Sequence, residues 1–200
     1  MAINFTGEDH SDKFKQLIAQ TQDKVLVCGM PVKNDKLQMI AIVQEQGRHI
    51  EAKNYPYLVI PTKNAAGRKT SEITGLYQRG HALGINDPSQ PNGFLIMFVL
   101  KKSIDIPPRP FMRITYNHHI NEWAQLFVQS LVKVAILDGS VDDVFKTVGK
   151  QMVSDMQDTL DKLSQPANAP LTSDRKGFND PLVDTKLMRN SIDWMVFNKE

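Results

Sequence analysis

Apolar positions along this chain recur with two different periods, and the change of period marks out its parts. Residues 10 to 22 carry Phe14, Leu17, Ile18 and Thr21 on one helical face, with Ser11 placed to cap it. Lys24 to Gly29 is a short apolar run that predicts a buried strand ending at Gly29-Met30-Pro31. A polar turn, Lys33 to Lys36, leads into Leu37 to Gln46, whose pattern fits helix or strand, with Gly47 as a stop for a helix. Residues 48 to 93 are the least regular: a short strand, Tyr57 to Ile60, ends at Pro61. Gly67, Gly75, Gly80, Gly84 and a loop from Asn86 to Gly93 follow. Phe94 to Leu100 is nearly continuous apolar sequence and predicts a central strand paired with 57–60 across that loop.

From Ile120 the period becomes helical. Ile120, Trp123, Phe127, Leu131 and Val134 form one stripe; Val141, Phe145, Val148, Met152, Met156, Leu160 and Leu163 form a second. Asp138-Gly139-Ser140 separates them, and Ser140 with Asp143 makes a capping pair for the second helix. Together they predict a helical hairpin packed on a sheet. Ser164 to Asp180 has little to bury and reads as an extended arm. Thr185 to Ser191 predicts a short helix capped by Asp184. Asp193 to Phe197 predicts a last strand, joining a sheet edge of this chain or of a neighbouring subunit. The expected fold is α+β: a small, mainly antiparallel sheet packed by a long helical hairpin, with extended loop and C-terminal arms. Residues 1–163 would form one domain with an irregular insertion at about 61–93, and 164–200 an arm ending in a docking helix and strand.

The segment Ser103 to Arg113 stands apart. Pro107, Pro108 and Pro110 fix φ, remove three backbone donors and push each preceding residue toward extended geometry. They predict a stiff strap delivering Arg109, Phe111 and Arg113 at fixed spacing. Phe111 can plug the chain's own core while the arginines meet helix carbonyls or acids. Equally, an aromatic ringed by Arg has the composition of an interface anchor, and the two roles are compatible. Trp194, Met195 and Phe197 carry the same ambiguity at the chain's end.

The strap Ile-Pro-Pro-Arg-Pro-Phe-Met-Arg resembles the pattern of tail-completion (neck, head–tail joining) proteins of tailed bacteriophages, including minor tail protein Z and virion morphogenesis types. Three more parts of that pattern have counterparts in order. They are Ala41-x-x-x-Glu45-x-Gly47, the apolar strand Phe94 to Ser103 with its Leu-Lys-Lys-Ser ending, and Pro181-Leu182-Val183-Asp184-Thr185-Lys186-Leu187-Met188-Arg189-Asn190-Ser191-Ile192. The resemblance spans roughly residues 37 to 198 and makes Leu37 to Gln46 a helix. It departs at Lys186, where the family commonly has Gly; a positive φ there would strain a lysine.

That resemblance implies a virion structural protein, made in the host bacterial cytoplasm and located at the neck. It would complete the tail and join it to the DNA-filled head as a homo-oligomeric, six-fold ring. Its partners would be other neck, connector and tail proteins. Interface candidates are Pro107, Pro108, Arg109, Pro110, Phe111, Arg113, Asp184, Leu187, Trp194 and Phe197. A tail terminator, the ring that caps tail-tube polymerisation, is the nearest alternative. A small hydrolase using the His and Asp residues of the irregular middle is the alternative of another class.

Composition narrows the chemistry. Of 200 residues, 24 are basic and 22 acidic, a net charge of +2, too even for a protein devoted to nucleic acid. The loop Lys63 to Ser71 is basic, and Lys63, Arg68 and Lys69 could make non-specific contact with DNA in a neck channel, or simply face solvent. The single Cys28 precludes an internal disulfide and lies in an apolar run, as a small buried hydrophobe. The start lacks a basic and apolar leader, and Phe94 to Leu100 is far below the ~20 residues that span a bilayer, so the expectation is a soluble chain with no membrane role. His118-His119 are adjacent and so point apart, which suits a helix start better than a metal. Asp155, Asp158 and Asp161 read as a solvated helix face. No phosphate-cradling loop or nucleophile elbow is present, so no catalytic residue, metal or cofactor is assigned.

Overall fold

The computed structural model describes residues 10–30, 35–177 and 186–199. Contacts within the chain divide it into two units, neither continuous in sequence. One comprises Met1–Gln38, Phe111–Lys162 and Lys186–Glu200; the other comprises Met39–Pro110 and Leu163–Thr185.

The first unit is built on the expected hairpin. Helix α3 (Phe111–Ile136) packs along α4 (Val141–Lys162), and α1 (Ser11–Thr21) lies against both. Ser140 donates its hydroxyl to Asp143 (2.7 Å) and the Asp143 amide returns to the Ser140 oxygen (3.3 Å), so the expected capping pair starts α4. Strands β1 (Lys24–Gly29) and β8 (Asp193–Asn198) form a two-stranded antiparallel ribbon in the register Val25↔Phe197, Val27↔Met195 and Cys28↔Trp194. One ribbon face turns Leu26, Trp194 and Val196 to a core of Leu17, Leu131, Ala135, Val141, Val144 and Phe145. Gly149 of α4 lets Trp194 dock, because a Cβ there would overlap the indole ring. A four-residue helix, α6 (Leu187–Asn190), leads into β8 and is tied to α4 by Arg189 Nε to Asp161 (2.7 Å).

The second unit holds most of the sheet. Strands β3 (Leu58–Pro61), β6 (Phe94–Lys101), β5 (Ala82–Asn86) and β4 (Tyr77–Arg79) form an antiparallel sheet in that spatial order. Its core is Ala65, Ile73, Met97 and Phe98, with Leu76, Leu83, Ile85 and Leu95 against it. Strand β2 (Arg48–Glu51) pairs with β7 (Ser103–Ile106) in a separate ribbon. Helix α2 (Asp35–Gln46) runs into this unit and stops at Gly47, φ +72°. A Cβ on Gly47 would also meet the Ile106 carbonyl and the Pro108 nitrogen at 2.8 Å, so the position is held by conformation and by space.

The chain is α+β, and among the described residues its strands are antiparallel but divided among three sheets. Four expectations need correction. The insertion at 61–93 is folded: it carries β4, β5 and two 3-10 turns, Lys63–Ala65 and Thr70–Glu72. The arm expected from Ser164 to Asp180 is not extended throughout, since 170–176 form helix α5 (Pro170–Lys176), whereas the expected last strand, β8, does join a sheet edge of this chain, pairing with β1. The strap proper is 107–110 alone: 103–106 pair as β7, and Phe111 to Arg113 open α3. Prolines constrain themselves and the residue before, but a helix can begin directly after one. α3 therefore starts about two turns ahead of His118 and His119, which lie in its body. Asp184, the expected cap of the terminal helix, lies outside the described residues.

Candidate interaction surfaces

Arg109 is the most constrained candidate. It is only 4% exposed, and its guanidinium donates to Gln44 Oε1 (2.7 Å), Pro166 O (2.8 Å) and Ala167 O (3.1 Å). Its backbone amide donates to the Gln44 carbonyl at 2.6 Å, in the last turn of α2, where the helix dipole favours a cation. Burial lowers its pKa. Of the two roles open to the strap, Arg109 takes the inward one: it pins α2 and residues 166–167 to the prolines. Phe111 is fully buried and Pro110 half-buried, while Pro107, Pro108 and Arg113 are exposed.

The terminal strand does the reverse. Alternation along β1 and β8 turns Val25, Val27, Met195 and Phe197 to the face away from the core, and all four are exposed, Phe197 by 48%. Because Val25 pairs with Phe197 and Val27 with Met195, they form one apolar patch. Trp194 faces inward against α4, and Leu187 is exposed on α6. Lys186 has φ +58°, so a lysine stands in the left-handed region that the resemblance assigns to Gly.

The basic loop is tied down rather than free. Thr62 caps the first 3-10 turn, accepting from Asn64 N (3.3 Å), and Asn64 Nδ2 donates to the β6 carbonyl of Ile96 (2.9 Å). Arg68 turns back onto Ala65 O (3.1 Å) and Asn64 O (3.2 Å). Lys63 and Lys69 are exposed, and the Lys69 amide donates to Glu72 (2.8 Å). The loop thus offers fewer unspent cations than its composition implies.

Among titratable groups, Cys28 is half-buried, and desolvation, with Asp193 and Asp155 adding, pushes its thiol up to about 12. It stays protonated at neutral pH. His119 stacks on Trp123 (6.1 Å between centroids) and meets Glu122 through Nδ1 at 2.6 Å. Asp155 is not solvated as expected: it accepts from Trp123 Nε1 (2.7 Å) and Gln151 (2.9 Å), joining α3 to α4. Asp158 and Asp161 remain exposed. Sequence periodicity missed Asp155 because its partner lies on the other helix. His49 sits between Asp105 (2.5 Å) and Glu51 (3.1 Å) on the β2–β7 ribbon, and those bonds raise its pKa. Among the described residues no group of three or more His, Cys, Asp or Glu is arranged to hold a metal ion, and no helix is long and apolar enough to cross a membrane.

Two grooves border the end of α3. One of about 420 Å³ lies between α3 and α4, lined by Leu126, Ser130, Val134 and Thr147. The other, of about 350 Å³, is lined by Phe14 of α1 with Val132, Ala135 and Ile136. Comparison with protein-family models, curated proteins and solved structures gave no match to this chain.

Proposed function

We propose that this chain is a structural protein of a bacteriophage neck, completing the tail and joining it to the filled head by assembling as a six-fold ring. The four motifs that resemble tail-completion proteins supply the class. The observation that best supports self-assembly is the apolar outer face of the β1–β8 ribbon, where Val25, Val27, Met195 and Phe197 are exposed on two strands that, among the described residues, pair only with each other. Binding alone would do the work, with other neck, connector and tail proteins as neighbours, and Lys63 and Lys69 as the basic groups open to DNA. The test is electron microscopy of lysates from a phage lacking this gene. DNA-filled heads beside unattached tails of normal length are expected. Overlong tails would make the protein a tail terminator, and normal virions would overturn the neck reading.

A further inference from the structure

The three threonines of the hairpin turn their hydroxyls back on their own backbone. Thr115, Thr147 and Thr159 each donate to the carbonyl four residues earlier, at 2.7, 2.8 and 2.9 Å. Ser130, in the body of α3, does not. It is only 8% exposed, and among the described residues its hydroxyl has no hydrogen-bond partner. It lines the groove of about 420 Å³ between α3 and α4, with Leu126 and Val134 on either side of it along the helix. A buried hydroxyl without a partner is costly, and one that lines a groove is matched when the groove is filled.

Two more polar groups on that wall are unengaged. Gln129 and Lys133 line the groove beside Ser130, and among the described residues neither side chain has a partner. Helical side chains lean toward the N-terminus, so Lys133 reaches back over Gln129 and Ser130, and the three present donors at one place. The opposite wall is already satisfied: Asp143 accepts from the Ser140 amide (3.1 Å) and hydroxyl (2.7 Å), and Thr147 is bonded to its own helix. Past the donors, Val134 and Leu137 continue the groove as apolar lining, and Ser130 to Leu137 spans about 10 Å along α3.

We propose that this groove binds a free medium-chain carboxylic acid, with its carboxylate on Lys133 and Ser130 and its alkyl chain along Val134 and Leu137. Unmatched donors require an acceptor, and an unpaired ammonium among them selects a negatively charged one. The volume and the apolar lining suit a small ligand with one polar end. Asp143 stands in the first turn of α4, at the closed end of the hairpin, and repels a carboxylate from that end, which fixes the direction in which the acid lies. The site lies within the helical unit, apart from the ribbon patch, and stands independently of the neck reading.

Titration of the isotope-labelled full chain with octanoate, 1-octanol and octylammonium, followed by amide shifts in NMR spectra, tests this. Octanoate should shift amides of residues 126–137 and 143–147 and saturate at roughly 1–10 mM, as befits a ligand of its size. The uncharged alcohol should bind about tenfold more weakly and octylammonium more weakly still. Lys133→Met should abolish the preference for octanoate over the alcohol. Ser130→Ala should weaken octanoate by about fivefold, and Leu137→Glu by about tenfold or more. Shifts that do not saturate or that centre elsewhere overturn the proposal. So does equal binding of the three ligands, or octanoate binding unchanged by Ser130→Ala, by Lys133→Met or by Leu137→Glu. Lys133 and Leu137 are exposed, so their variants decide the matter even where Ser130→Ala alters the packing of the hairpin.

Discussion

The strap and the terminal strand carry the same kind of residues, large apolar groups beside basic ones, yet they face opposite ways. In the strap, Arg109 finds three carbonyl or amide oxygens within 3.1 Å and is drawn inside. In the terminal strand, alternation leaves Trp194 inside and Phe197 outside with no choice of rotamer able to exchange them. Composition names residues capable of anchoring; the acceptors and the strand period around them decide whether they anchor this chain or another.

Replacing Arg109 should show the largest effect. Arg109→Ala leaves three oxygens without their donor and should cost about 3 kcal/mol in urea denaturation. Arg109→Lys should recover little, since an ammonium cannot reach three acceptors set out for a planar fork. A cost below about 1 kcal/mol would remove the pin from this account. Next in size is the turn that delivers the terminal strand. Lys186→Gly should stabilise by up to about 1 kcal/mol by relieving the left-handed backbone, and a loss of stability would show that the lysine has a contact worth more than its strain. Phe197→Ser should move stability by no more than about 0.5 kcal/mol while lowering self-association at high protein concentration. An equal fall in stability would mean that the outer face belongs to this chain's own fold.

The smallest effect concerns the ribbon that precedes the strap. His49 has a raised pKa in the folded protein, so its bonds to Asp105 and Glu51 contribute fully below its unfolded value near 6.5 and fade as pH rises through the folded one. Hydrogen exchange of the β2–β7 amides, corrected for intrinsic rate, should show less protection at pH 8 than at pH 6. His49→Gln should abolish the difference.

The two hairpin helices were legible because their apolar stripes are long, and Ser140–Asp143 because a cap is local, whereas α5 fell in a segment read as an arm. β3 and β6 were legible as apolar runs and paired as expected. β4 and β5 were hidden by Gly75, Gly80 and Gly84, whose turn signals are read more easily than three- and five-residue strands. Nothing local identifies Arg109 as buried, because its acceptors come from α2 and from residues 166–167. Nor does period reveal that the chain's two ends share a ribbon, or that a sheet with its own core interrupts the helical unit.

That ribbon has a consequence for biosynthesis. Lys24 pairs with Asn198, and the Lys199 amide reaches the Asp23 carbonyl at 2.6 Å. β1 leaves the ribosome well ahead of its partner, which lies about 170 residues further along the chain. At 5–20 residues per second, the nascent chain carries Val-Leu-Val-Cys as an unmatched edge for roughly 10–30 s. Throughout that interval the emerging polypeptide is a substrate for chaperones or for wrong pairing, and translation speed sets how long the exposure lasts.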